Sequence, residues 1–348
     1  MNARVVFTGC GALGAGVVGR GAVAEVLQGG RFAGAEDLPE ARLSLLIHDK
    51  GTRAWTRTAR LLAAAAQLAA QEAGWLAPAP PFAPQDCGVV VGSTYGNLHA
   101  SVLFDLETLR EGPQYVSPQD FANTVINQTA GRIAARHGFT GLNTTLCTGE
   151  ASALDALDYA RTVLRRGRVR AVLCGAGLER APEAAQVCVR LRTTGVPFAE
   201  GAAAFALELE PGARARGARR LAVLAGAGSV FRDGAPGQEE AVQAALEDAG
   251  VRAAELSEVI APASGHAARD AEEGAALERL GVRAPVLAPK AAAGECLEAS
   301  AALAVALALS RLEARPPAAA PRAVLVCASD PLGHHAAVVL AEAQPALY

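Results

Sequence analysis

The sequence is poor in aromatic residues and in long apolar runs, and its charges nearly balance. Aromatic residues make up 4% of the 348 positions while 36 are glycine, which favours packing through small side chains over a β-sandwich with an aromatic core. The longest clean apolar stretch, residues 301–309, is much shorter than the roughly 20 residues of a membrane span. A net charge of −3 excludes a general binder of polyanions.

Paired cysteines are also lacking. The seven cysteines are scattered and form no Cys-x-x-Cys pair, which argues against a disulfide framework or a structural zinc site. The adjacent His334 and His335 have no further ligands at suitable spacing, so we expect a turn between two strands there rather than a metal site. No apolar run follows a basic cluster at the N-terminus. We therefore expect a cytoplasmic protein without a metal or a cofactor.

Short apolar runs typical of buried strands alternate with helical patterns along the whole chain, which predicts an α/β fold. The two halves follow a similar order, which predicts an internal duplication with one half at residues 1–205 and the other at 206–348. The runs at 202–210 and 221–229 are expected to be adjacent strands. Strands are predicted at 5–9, 87–94, 143–148, 169–177, 202–210, 221–229, 258–264, 285–287, 323–329 and 336–342, and helices at 55–73, 98–110, 151–165, 239–249, 271–280 and 297–314.

A glycine-rich segment at residues 8–19 has spacing similar to G-x-G-x-x-G and follows the first predicted strand. A dinucleotide-binding loop would also need an acidic residue about 20 positions further on, at the end of a second strand. Residues 31–40 contain no such strand, so a tight strand-to-loop turn is the preferred interpretation.

The most informative segment joins the predicted strand at 143–148 to the helix at 151–165 through a short elbow of small residues. This places residue 150 at a helix N-terminus, where exposed backbone N–H groups and the helix dipole favour negative charge. Such an elbow suits a nucleophile with an adjacent oxyanion site.

The elbow resembles that of the β-ketoacyl synthases, the condensing enzymes of the thiolase fold. Their elbow reads T-A-C-A-S-G-L-D-A, with cysteine as the nucleophile, whereas residues 148–156 read T-G-E-A-S-A-L-D-A. Glu150 therefore stands at the position of the cysteine. The opening V-V-F-T-G-C-G, the G-P-x-x-V-S-P at 112–118 and the E-G-A at 200–202 extend the resemblance over nearly the whole chain. It implies two duplicated α/β halves forming a five-layered α-β-α-β-α core.

The resemblance also locates the two catalytic histidines of the family. Counting back from Asp270 places Pro262 at the first, and the segment K-A-A-A-G-E places Glu295 at the second. Asp270, Glu273 and Lys290 match supporting positions that remain, and we expect them to form an ion-pair network around the former active site. Condensation needs a thiolate and two imidazoles, so no catalytic residue is expected.

Within the family, the subunit that lacks the cysteine is the chain-length factor, or ketosynthase β subunit, of type II polyketide systems. The resemblance thus implies a heterodimer with a cysteine-bearing ketosynthase, which receives acyl carrier protein and elongates a polyketide or fatty-acid-like chain. In having a glutamate at the elbow, the chain resembles the partner subunits found in polyene-type systems. Family dimers imply that residues 143–151 and the pocket-lining segment with Phe121, Thr124, Ile126 and Thr129 lie at the subunit contact.

Other interpretations remain open at the sequence level. Cys147 could be a displaced nucleophile in an active ketosynthase or decarboxylase, although a cysteine in a strand pattern is usually a small buried hydrophobe. His266 could replace a lost base, although a loop histidine is usually exposed. Glu150 and Glu295, if close together and buried, would raise at least one pKa by mutual repulsion. The chain could also act alone as an acyl-binding homodimer.

Overall fold

A computed structural model describes residues 3–29, 36–48, 51–191, 193–314 and 322–343. The strands are β1 (Val5–Gly14), β2 (Val17–Val18), β3 (Cys87–Gly92), β4 (Asn143–Leu146), β5 (Ala171–Leu178), β6 (Gly201–Leu209), β7 (Ala222–Phe231), β8 (Leu256–Ile260), β9 (Val286–Leu287), β10 (Ala323–Ser329) and β11 (His334–Ala341). The helices are α1 (Arg20–Gln28), α2 (Glu40–Leu46), α3 (Arg57–Glu72), α4 (Leu98–Glu111), α5 (Pro118–Thr124), α6 (Gln128–His137), α7 (Ser152–Arg165), α8 (Pro182–Leu191), α9 (Glu210–Ala215), α10 (Ala235–Ala249), α11 (Ala267–Arg279), α12 (Lys290–Ala293) and α13 (Glu298–Ala314).

The strands form two five-stranded arrangements with the same topology. The first has the order β4-β3-β5-β6-β1 and the second the order β9-β8-β10-β11-β7. In each, the first three strands are parallel and the last two are antiparallel to their neighbours. A short antiparallel pairing of Val5–Phe7 in β1 with residues 222–224 in β7 joins the two arrangements. The matching order supports the proposed duplication.

Helices α7 and α13 lie between the two halves and contact strands of both. Helix α3 packs on β1, β5 and β6 in the first half, and α10 packs on β7 and β11 in the second. This arrangement gives the expected five layers and confirms the α/β class. The apolar run at 301–309 is explained by this position, because a helix between two sheets is buried on all sides. Within the described ranges, no helix is long and apolar enough to cross a membrane.

The glycine-rich segment is a strand as far as Gly14, and a tight turn follows at residues 15–16 between β1 and β2. The expectation of a turn is therefore wrong for Gly9 and Gly11. Strand β1 continues through both to Gly14 and lies directly beneath α3. A Cβ at Gly9 would lie 2.1 Å from the carbonyl oxygen of Ala69, and one at Gly11 would lie 2.0 Å from that of Ala65. The glycines therefore allow a helix to approach the sheet closely.

The junction between the two halves differs from the expected one. Strands β6 and β7 are not adjacent as expected, because β1 pairs between them and closes the first half of the sheet. The structure also places residue 205 inside β6, and the second repeat of strands begins with β7 at Ala222. The division at residues 205 and 206 thus remains a prediction about domain organisation.

Candidate functional site

The elbow between β4 and α7 is a short, well-fastened turn. Residues 149–151 form one turn of 3-10 helix, and Gly149 adopts a left-handed conformation with φ of 65°. The Ser152 hydroxyl accepts a hydrogen bond from the N–H of Thr148 at 2.9 Å and donates one to the carbonyl oxygen of Gly149 at 2.7 Å. Glu150 is 5% exposed and points into the protein at the predicted position of the nucleophile.

Three buried charged side chains meet at this elbow. The Nζ atom of Lys290, on the short helix α12, lies 2.9 Å from Oε2 of Glu150 and 2.7 Å from Oε2 of Glu295. The second oxygen of Glu295 accepts hydrogen bonds from the N–H of Leu297 at 2.8 Å and the hydroxyl of Ser300 at 3.1 Å. Two of the three positions expected to be degenerate are therefore brought together by one lysine.

The electrostatics of the cluster follow from burial and from the shared lysine. Burial raises the pKa of the Glu150 carboxyl; Lys290 opposes this and Glu295 adds to it. The expected repulsion between the two carboxylates is therefore present, but burial contributes more. For Lys290, burial alone would lower the pKa, yet the two carboxylates hold it above its usual range. The ammonium group therefore stays charged, and removing it would leave two buried carboxylates without a counter-ion.

Beside the cluster lies a small cavity of about 10 Å³, which holds one water molecule at most. Pro262, the third position expected to be degenerate, lines this cavity together with Glu150 and Lys290. No histidine lines it among the described residues. Its one thiol belongs to Cys327 on β10, and burial raises the pKa of that thiol far above its usual range. The cavity thus offers neither a thiolate nor an imidazole.

A third buried carboxylate near the elbow, Glu298, has no counterpart in the sequence-based predictions. It is fully buried at the start of α13, and its Oε1 atom accepts hydrogen bonds from the N–H groups of Thr94 at 3.1 Å and Tyr95 at 2.9 Å. Its Oε2 atom has no hydrogen-bond partner among the described residues. Burial raises the pKa of Glu298 to about 7. A glutamate in an otherwise apolar helix pattern was the only available signal.

The supporting residues do not form the expected network, and that prediction is wrong. Asp270 accepts hydrogen bonds from the Ser264 hydroxyl and the Gly265 N–H, at 3.1 and 3.0 Å. Glu273 is buried and accepts one from the N–H of Ala263 at 3.1 Å. Both carboxylates thus fasten the loop after β8, whereas Lys290 turns to Glu150 and Glu295 because these lie within direct contact distance.

The other candidate side chains lie away from the cavity. Cys147 follows β4, and its side chain is exposed rather than buried as expected. Partial desolvation by neighbouring groups, and then the charge of Glu298, raise the pKa of its thiol. His266 is half-buried at the start of α11, so it is not fully exposed either. His334 and His335 are the first residues of β11 and not a turn, and they bind Ser229 and Ser329 respectively at 3.0 Å. In the described part of the chain, no group of three potential metal ligands occurs.

The predicted pocket and contact residues lie on α5, in the turn after it and at the start of α6. Phe121 is 56% exposed, and Thr124 and Ile126 are half-buried. Thr129 is only 4% exposed and accepts a hydrogen bond from the Gln128 side chain, so it cannot contribute to an exposed contact surface. Helix α6 turns this face towards β3 and α3, and the assignment of Thr129 to the pocket stays a prediction.

Comparison with known proteins agrees with this geometry. The β-ketoacyl synthase N-terminal domain matches residues 45–193, and the C-terminal domain of the same enzymes matches residues 222–318. A polyketide β-ketoacyl synthase 2 of Streptomyces halstedii is 31% identical over 90% of this chain and 80% of its own length.

Solved structures have the same fold. The ishigamide ketosynthase/chain length factor is 26% identical and superposes with a TM-score of 0.81, covering 97% of this chain and 99% of that chain. A type II polyketide synthase complex of a ketosynthase with its acyl carrier protein includes a chain that is 21% identical, with a TM-score of 0.82, covering 99% of this chain and all of that one. The chain belongs to the β-ketoacyl synthase family and has the thiolase-like fold.

Proposed function

We propose that the chain is a non-catalytic, chain-length-factor-like subunit that pairs with a cysteine-bearing ketosynthase and shapes the pocket for the growing acyl chain. One observation carries this proposal: a buried Glu150–Lys290–Glu295 ion cluster occupies the elbow, where the family resemblance implies a cysteine and a histidine. A carboxylate paired with an ammonium group cannot hold a thioester or take part in decarboxylation as an imidazole does.

A contact surface for the partner is available beside the elbow. Strand β4 is the last strand of its sheet and pairs only with β3 in the described structure, so its outer edge can accept another strand. Helices α4 and α5 and the residues adjoining them carry exposed apolar side chains, which we call the α4–α5 patch: Leu103, Leu106, Leu109, Tyr115, Phe121 and Val125. Monomeric proteins rarely expose an apolar patch of this kind without a partner.

We further propose that the pair receives acyl carrier protein, acts on a polyketide or fatty-acid-like chain and is located in the cytoplasm. Two of the similar structures support the proposed partners: one is a ketosynthase/chain length factor, and the other is a ketosynthase in complex with its acyl carrier protein. The family resemblance of the sequence to polyene-type partners supports a reduced chain as the product.

The test is co-expression with each cysteine-bearing ketosynthase of the same organism, followed by size-exclusion chromatography and mass spectrometry of the products. We expect a stable complex that makes product, while this chain alone makes none. Failure to bind any cysteine-bearing synthase of the same organism would refute the pairing. Turnover by the isolated chain that Cys147→Ala abolishes would instead support a displaced nucleophile.

Pocket control is tested within the same complex. Thr124→Trp and Ile126→Trp enlarge half-buried side chains of the predicted wall and should shorten the products before they weaken the complex. Ala268→Trp, at an exposed position of α11, is the matched control and should leave product length unchanged. If all three variants give the wild-type products, the subunit supports the synthase without setting chain length.

A further inference from the structure

Three successive backbone amides at the elbow, those of residues 148–150, donate to side chains of the protein itself. The N–H of Thr148 donates to the Ser152 hydroxyl and the N–H of Gly149 to the Thr94 hydroxyl, both at 2.9 Å. The next amide, that of Glu150, donates to Oδ2 of Asp330 at 2.9 Å. The third acceptor is a carboxylate, so it places a negative charge where the first two acceptors are neutral.

Asp330 is held firmly in this position. Its side chain is buried in the turn between β10 and β11, and its Oδ1 atom accepts a hydrogen bond from the N–H of Leu332 at 2.8 Å. Its own backbone N–H donates to the carbonyl oxygen of His334 at 2.7 Å. The side chain and the backbone of Asp330 are therefore each fixed by a hydrogen bond within its own turn, without help from the elbow.

The elbow is in turn shaped to receive this carboxylate. A Cβ atom at Gly149 would lie 1.9 Å from Oδ2 of Asp330, far inside van der Waals contact. The positive φ of Gly149 also favours glycine. Close approach of the two segments thus requires the absence of a side chain at residue 149.

We propose that Asp330 is an internal blocker of the oxyanion position at this elbow. In acyl transfer, backbone N–H groups stabilise the oxyanion when they lie 2.7–3.1 Å from it. Here a carboxylate oxygen already accepts from the N–H of residue 150 at 2.9 Å, and its charge repels a second anion. The inference rests on the proposed non-catalytic function and adds a second block, independent of the residue at 150.

The proposal is tested with a thiol placed at the elbow. Glu150→Cys is compared with Glu150→Cys/Asp330→Ala and Glu150→Cys/Asp330→Asn, each purified as the full chain with its partner synthase carrying an alanine in place of its own nucleophile. Each protein is treated with p-nitrophenyl acetate. The thiolate attacks the ester carbonyl, the S–C bond forms, the C–O bond breaks and p-nitrophenolate leaves with the electron pair; intact mass locates the acetyl group.

Alkylation by iodoacetamide is measured in parallel, because it requires the thiolate and access but no oxyanion donor. We expect the ratio of acylation to alkylation rates to rise by about tenfold or more in the alanine double variant, since one donor becomes free. In the asparagine double variant the negative charge of residue 330 is lost, but the N–H of residue 150 still has an acceptor. There, both rates should rise together and the ratio should stay near that of Glu150→Cys.

Asp105→Ala, which removes an exposed carboxylate of α4, serves as the control in the Glu150→Cys background and should change neither rate. An unchanged ratio in the alanine double variant, with unaltered melting temperature, overturns the proposal and leaves Asp330 a structural residue. Absence of labelling in every variant also overturns it, because access alone then keeps the site inert. Neither outcome affects complex formation by the wild-type chain, so a failure of the proposed function is recognised separately.

Discussion

Individual residues at the elbow depend on one another through a shared charge. Glu150 and Glu295 share the charge of Lys290, and all three side chains are buried. Buried ion pairs gain little net stability, because desolvation offsets most of the attraction, but losing one partner is strongly destabilising. The three positions are therefore coupled, and substitution at any one of them is expected to require compensation at the others.

Glu298 makes the stability of the protein depend on pH. Its folded-state pKa of about 7 lies above its ordinary value of 4.5, because burial disfavours the charged form. Its contribution to stability is therefore fully present below pH 4.5 and is lost as the pH rises through 7. Glu298→Gln keeps the oxygen that accepts from Thr94 and Tyr95, and should raise the free energy of unfolding at pH 8 by about 1–3 kcal/mol relative to wild type.

Urea unfolding at pH 5, 6, 7 and 8 measures this effect. The difference between the variant and wild type should grow with pH, which separates it from carboxylates such as Glu210, whose lowered pKa acts in the opposite direction. Glu278→Gln, at an exposed position of α11, is the control and should give a constant difference. A constant difference for Glu298→Gln as well would show that this carboxyl is ionised in the folded state throughout that range.

At the scale of elements, the contact between β1 and α3 depends on two glycines. Gly9→Ala and Gly11→Ala each place a methyl group about 2 Å from a carbonyl oxygen of α3, so the helix must move away from the sheet. We expect each to lower the free energy of unfolding by about 1–3 kcal/mol, the usual cost of overpacking. Chemical denaturation of the purified variants measures this loss of stability.

Gly274→Ala is the matched substitution for this comparison. Gly274 lies in α11, and a Cβ there would meet no atom within 4 Å. Alanine is favoured over glycine inside helices, so a gain of about 0.5–1 kcal/mol is expected. If Gly9→Ala were as stable as wild type, the glycines of β1 would have to be explained by something other than close packing.

For the whole molecule, the α4–α5 patch and the free edge of β4 predict association. Leu106 and Leu109 are 40% and 82% exposed, so a charge at either does not disturb the folded chain. The double variant Leu106→Glu/Leu109→Glu should weaken binding to the ketosynthase by about 2 kcal/mol or more, because charged groups would be buried at the contact. Sedimentation of the co-expressed pair across a dilution series measures the change.

Leu45→Glu serves as the control for that measurement. Leu45 is 79% exposed on α2, outside the patch, and its substitution should leave the dissociation constant unchanged. Equal affinities for the double variant and wild type would exclude the α4–α5 patch from the contact. A lower melting temperature in the double variant alone would instead show that these two leucines contribute to folding.

Some parts of the candidate site could be predicted from the sequence and others could not. The elbow was predictable, because a strand, small residues and a helix in succession form a local pattern. The significance of Glu150, Pro262 and Glu295 was implied by the resemblance of their segments to β-ketoacyl synthase motifs. Asp330 and Glu298 were not, because each reaches the elbow region from an element far along the chain. The helix α1 was also missed, since its few apolar residues give only a weak periodic pattern.

The sequence by itself determined the α/β class and the order of most strands and helices, because these depend on local patterns. It also determined the resemblance to the β-ketoacyl synthases, because that depends on residue identity within short motifs. Only the tertiary structure decided that β1 lies between β6 and β7, that Lys290 pairs with Glu150 and Glu295 rather than with Asp270 and Glu273, and that Asp330 occupies the elbow amide. Such contacts join distant segments through distances and burial, and spacing along a single chain does not encode which of several nearby charges will meet.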